Sequence, residues 1–492
     1  MVKLNFKIMS CFIFAASIVY MLFNADSAGS SALCICSFAL WCAAILFALS
    51  KKNVNRITVC FLITFFVFML SRILVVYLKE KRLYTIFSET ITKNTFLIIS
   101  VALIGLFLGM TTDGITVKFS NTSFSLFNTS NINIKALRLS SALFTLLSGA
   151  ALFLTEAEKA LFYRSSDILD GGALRVSYAT SLPGVVLRLS YVYNLMFCIY
   201  LATLPEKKKC RWMFLLFIVI RAMKLIYGSR GDFVLCLMFA YIYYWMRDIK
   251  NKKSGETGEK WLGKAEKTLL VASIPAIIIL MVFIGYYRTN TAFHFSGFFD
   301  TLYEFFFSQG VSIDVLGNTQ KYINDFNQPH FLYMFDNTYQ FLVTNPISKI
   351  ITGKTYYAAN TVERALYGTS LGQTLYYNIN PQSYLAGNGC GSAYLAEAYL
   401  GYGIVGVFVI NFLLERIMNR ISKAKSNNVA SLTIRLLFIL NLFFMPRSGF
   451  DVFIGDFTSV THILALIMLW VLYKILSGKD FGDNYAETSQ KG

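Results

Sequence analysis

Along the chain, apolar blocks of about 17–22 residues alternate with short polar links. That length crosses a hydrocarbon core of about 30 Å at 1.5 Å per residue. The pattern predicts about twelve transmembrane helices, near 8–23, 32–49, 57–78, 94–112, 136–154, 184–204, 212–228, 231–246, 268–286, 395–414, 430–446 and 457–476. One stretch breaks the rhythm: residues 287–394 hold no apolar run long enough to span. It closes in a glycine-studded segment, Gly387 to Gly391, that leads into the tenth span. The expected fold is an all-α polytopic membrane protein with a large, partly helical loop late in the chain. Its expected division is helices 1–9 in residues 1–286, the loop in 287–394, helices 10–12 in 395–476 and a tail in 477–492.

Composition agrees. The 492 residues are 56% hydrophobic, with a mean hydropathy of +0.55, which excludes a reading as soluble domains. The first block has lysines before it, as a signal peptide would. A second apolar block follows at once, so the first is read as a retained helix. The net charge of +18 is concentrated in links such as Lys51–Arg56, Lys207–Arg211, Arg247–Lys267 and Arg416–Lys425. By the positive-inside rule these are cytoplasmic, which puts both termini inside and the long loop outside. The basic excess is a topology signal and does not point to nucleic acid. Lys79–Arg82 is the one basic cluster that lands outside.

All cysteines except Cys210 and Cys390 lie in apolar blocks, so the loop is expected to hold without an internal disulfide. The loop is rich in tyrosine and nearly balanced in charge, which predicts a folded cap and not a disordered tail. Its Gly297–Phe307 stretch reads as an amphipathic helix resting on the bilayer.

Candidate chemistry sits where spans meet short outer turns. Gly228-Ser-Arg230-Gly-Asp232 joins two spans with almost no polar link, and Met445-Pro-Arg447-Ser-Gly-Phe-Asp451 has the same character. Glycine frees such turns, and arginine presents a planar fork suited to phosphate. An Arg–Asp hairpin pair is the bland reading of each. Arg72, Arg138, Arg188, Arg221 and Lys224 fall inside predicted spans, where an unpaired charge is costly. Arg72 and Arg138 are close enough to span ends to snorkel. Arg188 is read as part of a cationic cavity. Glu397 opens the tenth span, either as a carboxylate favoured by a helix N-terminus or as a general base. Asp232 and His330 are weaker candidates for the base. No metal-ligand spacing, Walker sequence, dinucleotide fingerprint or serine elbow is present. Neither a metal nor another cofactor is expected.

Together, the twelve-span layout with its late loop, the Gly228–Asp232 turn and the Ser392-Ala-Tyr-Leu-Ala-Glu397 entry followed by Gly401-Tyr-Gly403-Ile-Val-Gly406 resemble the Wzy family of O-antigen polysaccharide polymerases. The resemblance implies a GT-C-like membrane glycosyltransferase of the bacterial inner membrane. Such an enzyme transfers a growing glycan from undecaprenyl pyrophosphate to the next lipid-linked repeat unit. It also implies contact with a Wzz-like chain-length regulator and a Wzx-like flippase. Arg230 and Glu397 are carried over as catalytic on motif position, and Asp232 joins them as a further candidate base. Arg188, Arg288, Arg447, His330 and Tyr384 are expected to bind substrate. An O-antigen ligase and a lipid-linked sugar flippase are the rival readings. The flippase would show inverted repeats, which are not visible in the sequence.

Overall fold

The computed structural model describes residues 2–24, 29–50, 55–84, 86–112, 133–165, 176–226, 231–254, 260–264, 266–268, 275, 278–280, 282–283, 297–353, 357–423 and 428–489. Every regular element among these residues is helical. Among the described residues, seven helices are long and apolar enough to cross a membrane: Asn5–Phe23, Ser30–Ser50, Arg56–Glu80, Glu89–Thr111, Ile134–Ser165, Tyr394–Lys423 and Val460–Gly478. An eighth span results if Gly184–Tyr191 and Tyr193–Ala202, bent by 42°, count together.

The difference from about twelve has local causes. Val429–Leu442 is a helix of 14 residues, roughly 21 Å long, too short to span alone. Lys207–Met223 carries a basic first turn. Most of the predicted 268–286 span lies outside the described residues. Gly231–Ser254, over the predicted 231–246 span, carries Asp232 in its first turn and a charged end from Arg247 onward, while Ile134–Ser165 runs past 154 as one helix.

Caps set several starts. The Asn55 side chain accepts the Ile57 N–H at 3.1 Å. Glu89, in the first turn after Ser88, accepts the Ser30 N–H at 2.7 Å and so ties two helix starts together.

The core is a single apolar cluster in which Glu89–Thr111 packs between Ser30–Ser50 and Tyr394–Lys423. Gly105 and Gly109, four residues apart, make the second contact possible. A Cβ on Gly105 would lie 2.6 Å from the Phe408 carbonyl, and one on Gly109 would lie 2.8 Å from the Glu415 Cβ. Small residues at this spacing let helix backbones approach closely in membranes. Beside that contact, buried Glu415 accepts from Thr58 at 2.9 Å and from Asn419 at 2.8 Å. The Tyr394–Lys423 helix is kinked at Gly403, where φ is 63°.

The long loop contributes Phe298–Gln309, Ser312–Lys321 and a series of shorter helices up to Leu385. Phe298–Gln309 packs on Ser71–Glu80. Here the outlying basic cluster finds its use. Lys79 pairs with Asp300 at 3.2 Å and lies 4.2 Å from the Tyr303 ring. Arg72 does not snorkel. It is buried, donates to the Phe307 carbonyl at 2.8 Å and forms an ion pair with Asp314. Arg138 likewise turns inward and donates to the Thr203 carbonyl at 2.8 Å.

Candidate active site

The first turns of Tyr394–Lys423 are buried against the loop and against the 445–451 turn. Glu397 lies there with 4% of its surface exposed. Its Oε1 accepts the Ser392 hydroxyl at 2.6 Å, and its Oε2 accepts the Phe450 N–H at 2.8 Å. Gly449 closes over the carboxylate so tightly that a Cβ would lie 2.9 Å from Oε1.

Asp451, the residue after Phe450, is also buried and faces the loop. It accepts from Asn337 Nδ2 at 2.9 Å and from the Thr338 N–H at 2.8 Å. Burial raises the Asp451 carboxyl above its ordinary range, and the donors Asn337 and Thr338 pull it back only in part. Asp336, at the start of that loop helix, pairs with buried Arg364 at 2.9 Å and accepts from Thr369 at 2.6 Å. A chain of buried and half-buried polar groups therefore runs from Glu397, through the Phe450–Asp451 backbone, into the loop.

Arg447 belongs to the same turn. It donates to the Gln309 carbonyl at 3.1 Å and to Gln309 Oε1 at 3.0 Å, with its guanidinium 5.8 Å from the Phe68 ring. With Arg72 on Phe307 and Ser71 on Phe306, it caps the carbonyl end of Phe298–Gln309, where orphan acceptors and the helix dipole favour cations.

Of the Gly228–Asp232 turn, Gly231 and Asp232 are among the described residues. A Cβ on Gly231 would lie 3.2 Å from the Phe444 ring, just before Met445-Pro-Arg447. Asp232 pairs with Lys224 at 2.8 Å. Arg230 and Arg288 lie outside the described residues. His330 comes close through its backbone: a Cβ on Gly401, one turn beyond Glu397, would lie 3.4 Å from the His330 carbonyl. The His330 ring packs on Phe326 at 6.3 Å.

Two predicted residues take other surroundings. Arg188 is exposed in the last turn of Gly184–Tyr191. Tyr384 is fully buried within the loop, with its hydroxyl bonded to the Thr361 carbonyl at 3.0 Å and to Gln373 at 2.8 Å. Among the described residues, no three His, Cys, Asp or Glu side chains are grouped to hold a metal ion.

Ser392, Asp336, Arg364 and Gln309 were not singled out in the sequence reading. Ser392 stands five residues before Glu397 in the helix entry. Asp336 and Arg364 meet across 28 residues and Gln309 meets Arg447 across 138.

A family model described as O-antigen polysaccharide polymerase Wzy matches residues 6–480. Comparison with curated proteins and with solved structures gave no match.

Proposed function

The chain belongs to the O-antigen polysaccharide polymerase Wzy family, and from that premise we propose that it lengthens a surface polysaccharide. The growing glycan is transferred from undecaprenyl pyrophosphate to the next lipid-linked repeat unit. The reaction takes place at the periplasmic face of the bacterial inner membrane. The observation that carries this reading is the family match over residues 6–480. It favours a polymerase over a ligase or a flippase.

In this reading the chain has about twelve spans in a GT-C-like arrangement, with both termini cytoplasmic and residues 287–394 as a periplasmic lid. Supply of the substrate by a Wzx-like flippase and control of length by a Wzz-like regulator follow from the family's task.

The chemistry asked of the site is modest. Pyrophosphate is already a good leaving group, so the site needs cations to hold its charge and a base for the acceptor hydroxyl. Arg447, with Arg230 of the adjoining turn, is assigned to the pyrophosphate. Arg188 and Arg288 are assigned to its approach, and His330 to the sugar. Glu397 is assigned as the base. Its two hydrogen bonds and burial fix the carboxylate in one orientation. Arginines can serve in place of a metal ion.

The test is elongation by the purified protein in liposomes, with lipid-linked repeat units and a metal chelator. Polymer formed under these conditions supports the reading. Hydrolysis without elongation, or no reaction with any repeat unit from the source strain, contradicts it.

A further inference from the structure

We propose that Ser392 is a catalytic residue that relays the acceptor's proton to Glu397. The inference rests on the reading of Glu397 as the base and deepens it.

The geometry creates the need for a relay. Glu397 is 4% exposed. Phe450 N–H occupies Oε2 at 2.8 Å, and the Ser392 hydroxyl occupies Oε1 at 2.6 Å. The Gly449 backbone covers the remaining approach. A base must come within about 3 Å of the proton it takes, directly or through one intermediary. No sugar hydroxyl reaches this carboxylate directly.

Ser392 is placed to be the intermediary. It is half-buried, between buried Glu397 and exposed Gly391. Gly391 has a φ of +76°, a conformation that glycine adopts without steric cost. The nearest atom to a Cβ there would be the Arg447 carbonyl at 3.8 Å. The serine's neighbour thus lies beside the turn assigned to the leaving group.

A hydroxyl has one proton and two lone pairs. The Ser392 proton is directed at Glu397 Oε1, which leaves the lone pairs to accept a hydrogen bond from outside.

Nor is Ser392 needed as a helix cap. The helix begins at Tyr394, and the Glu397 N–H is taken by the Ala393 carbonyl at 3.1 Å. Neither Ser392 nor Glu397 makes the reciprocal backbone bonds of a capping box.

The step balances. The acceptor hydroxyl oxygen attacks the anomeric carbon, and the carbon–oxygen bond to pyrophosphate breaks with its electron pair leaving on the phosphate. The acceptor proton passes to Ser392 Oγ while the Ser392 proton passes to Glu397 Oε1. Ser392 is regenerated as a hydroxyl, and Glu397 later returns the proton to water by the same route.

The test uses the full-length protein in liposomes with lipid-linked repeat units, comparing Ser392→Ala, Ser392→Thr and Glu397→Gln. Thermal midpoints are measured for each to confirm folding. Loss of a positioned proton-transfer group typically costs about 10²–10⁴ in rate. Ser392→Ala is expected to lower kcat by that order with KM little changed, and Ser392→Thr to restore kcat to within roughly tenfold of the parent. Normal kcat in Ser392→Ala overturns the relay, as does equal loss in the alanine and threonine variants at unchanged midpoints. The relay alone fails if Ser392→Ala is active while Glu397→Gln is dead. If Glu397→Gln is also active, the reading of Glu397 as the base fails with it.

Discussion

Arg447 reaches from the turn before the last membrane helix to the Gln309 carbonyl at the end of a loop helix, at 3.1 Å. Arg72 arrives at the same helix end from another span, on Phe307, and adds the Asp314 ion pair. The cations that hold this loop helix thus come from a membrane helix and from the Met445–Arg447 turn.

Removing one partner of a buried ion pair strands the other and typically costs about 3–5 kcal/mol. Arg72→Ala is expected to destabilise the protein on that scale and to expose the 298–321 segment to protease. Its thermal midpoint in detergent and the rate of cleavage there are the measurements. An unchanged midpoint and protease pattern would remove the ion pair from the account.

Gly109 predicts a second, independent weakness. A side chain there meets the Glu415 Cβ and the Phe412 carbonyl, at 2.8 and 2.9 Å from a Cβ. Overpacking of this kind costs about 1–3 kcal/mol. Gly109→Val should lower the thermal midpoint and expression in the membrane, while Gly184→Ala, with nothing within 4 Å, should leave both near the parent. Equal behaviour of the two variants would show that the helices do not approach at Gly109.

Much of the membrane layout was legible because apolar block length is set by bilayer thickness. The Glu397 entry was legible because an acid at the start of an apolar helix stands out. What the sequence concealed is the destination of long-range polar groups. Arg72 was assigned to snorkelling because Asp314 lies far along the chain, and the Lys79 cluster broke the charge rule because Asp300 and Tyr303 are equally remote. Gly105 and Gly109 carry a readable spacing, but only the partner helix shows which face it serves. The 14-residue Val429–Leu442 helix was lengthened in the sequence reading because apolar residues continue past its end into the Met445 turn.

Asp451 sets a pH dependence. Burial raises its carboxyl, so the folded state holds the proton more tightly than the unfolded chain. That contribution to stability is complete below the ordinary carboxylate value of about 4 and is lost as pH rises through the higher folded-state value. Asp451→Asn removes the titration and should flatten the fall of the thermal midpoint over that interval. A slope identical to the parent's would show that Asp451 does not titrate in this way.

Arg230 adjoins the Gly231 contact with Phe444 in sequence. Arg230→Ala is expected to abolish long-chain polymer while the protein stays in the membrane, as read by immunoblot of membrane fractions beside the polysaccharide profile. Normal polymer at normal protein levels would take Arg230 out of the site.

The most direct test of the polymerase reading is the lipopolysaccharide ladder of a strain lacking this chain, with and without the parent protein restored. The account predicts core carrying a single repeat unit in the deletion strain and a full ladder on complementation. A deletion strain with no repeat unit on its core, or with an unchanged ladder, would contradict it.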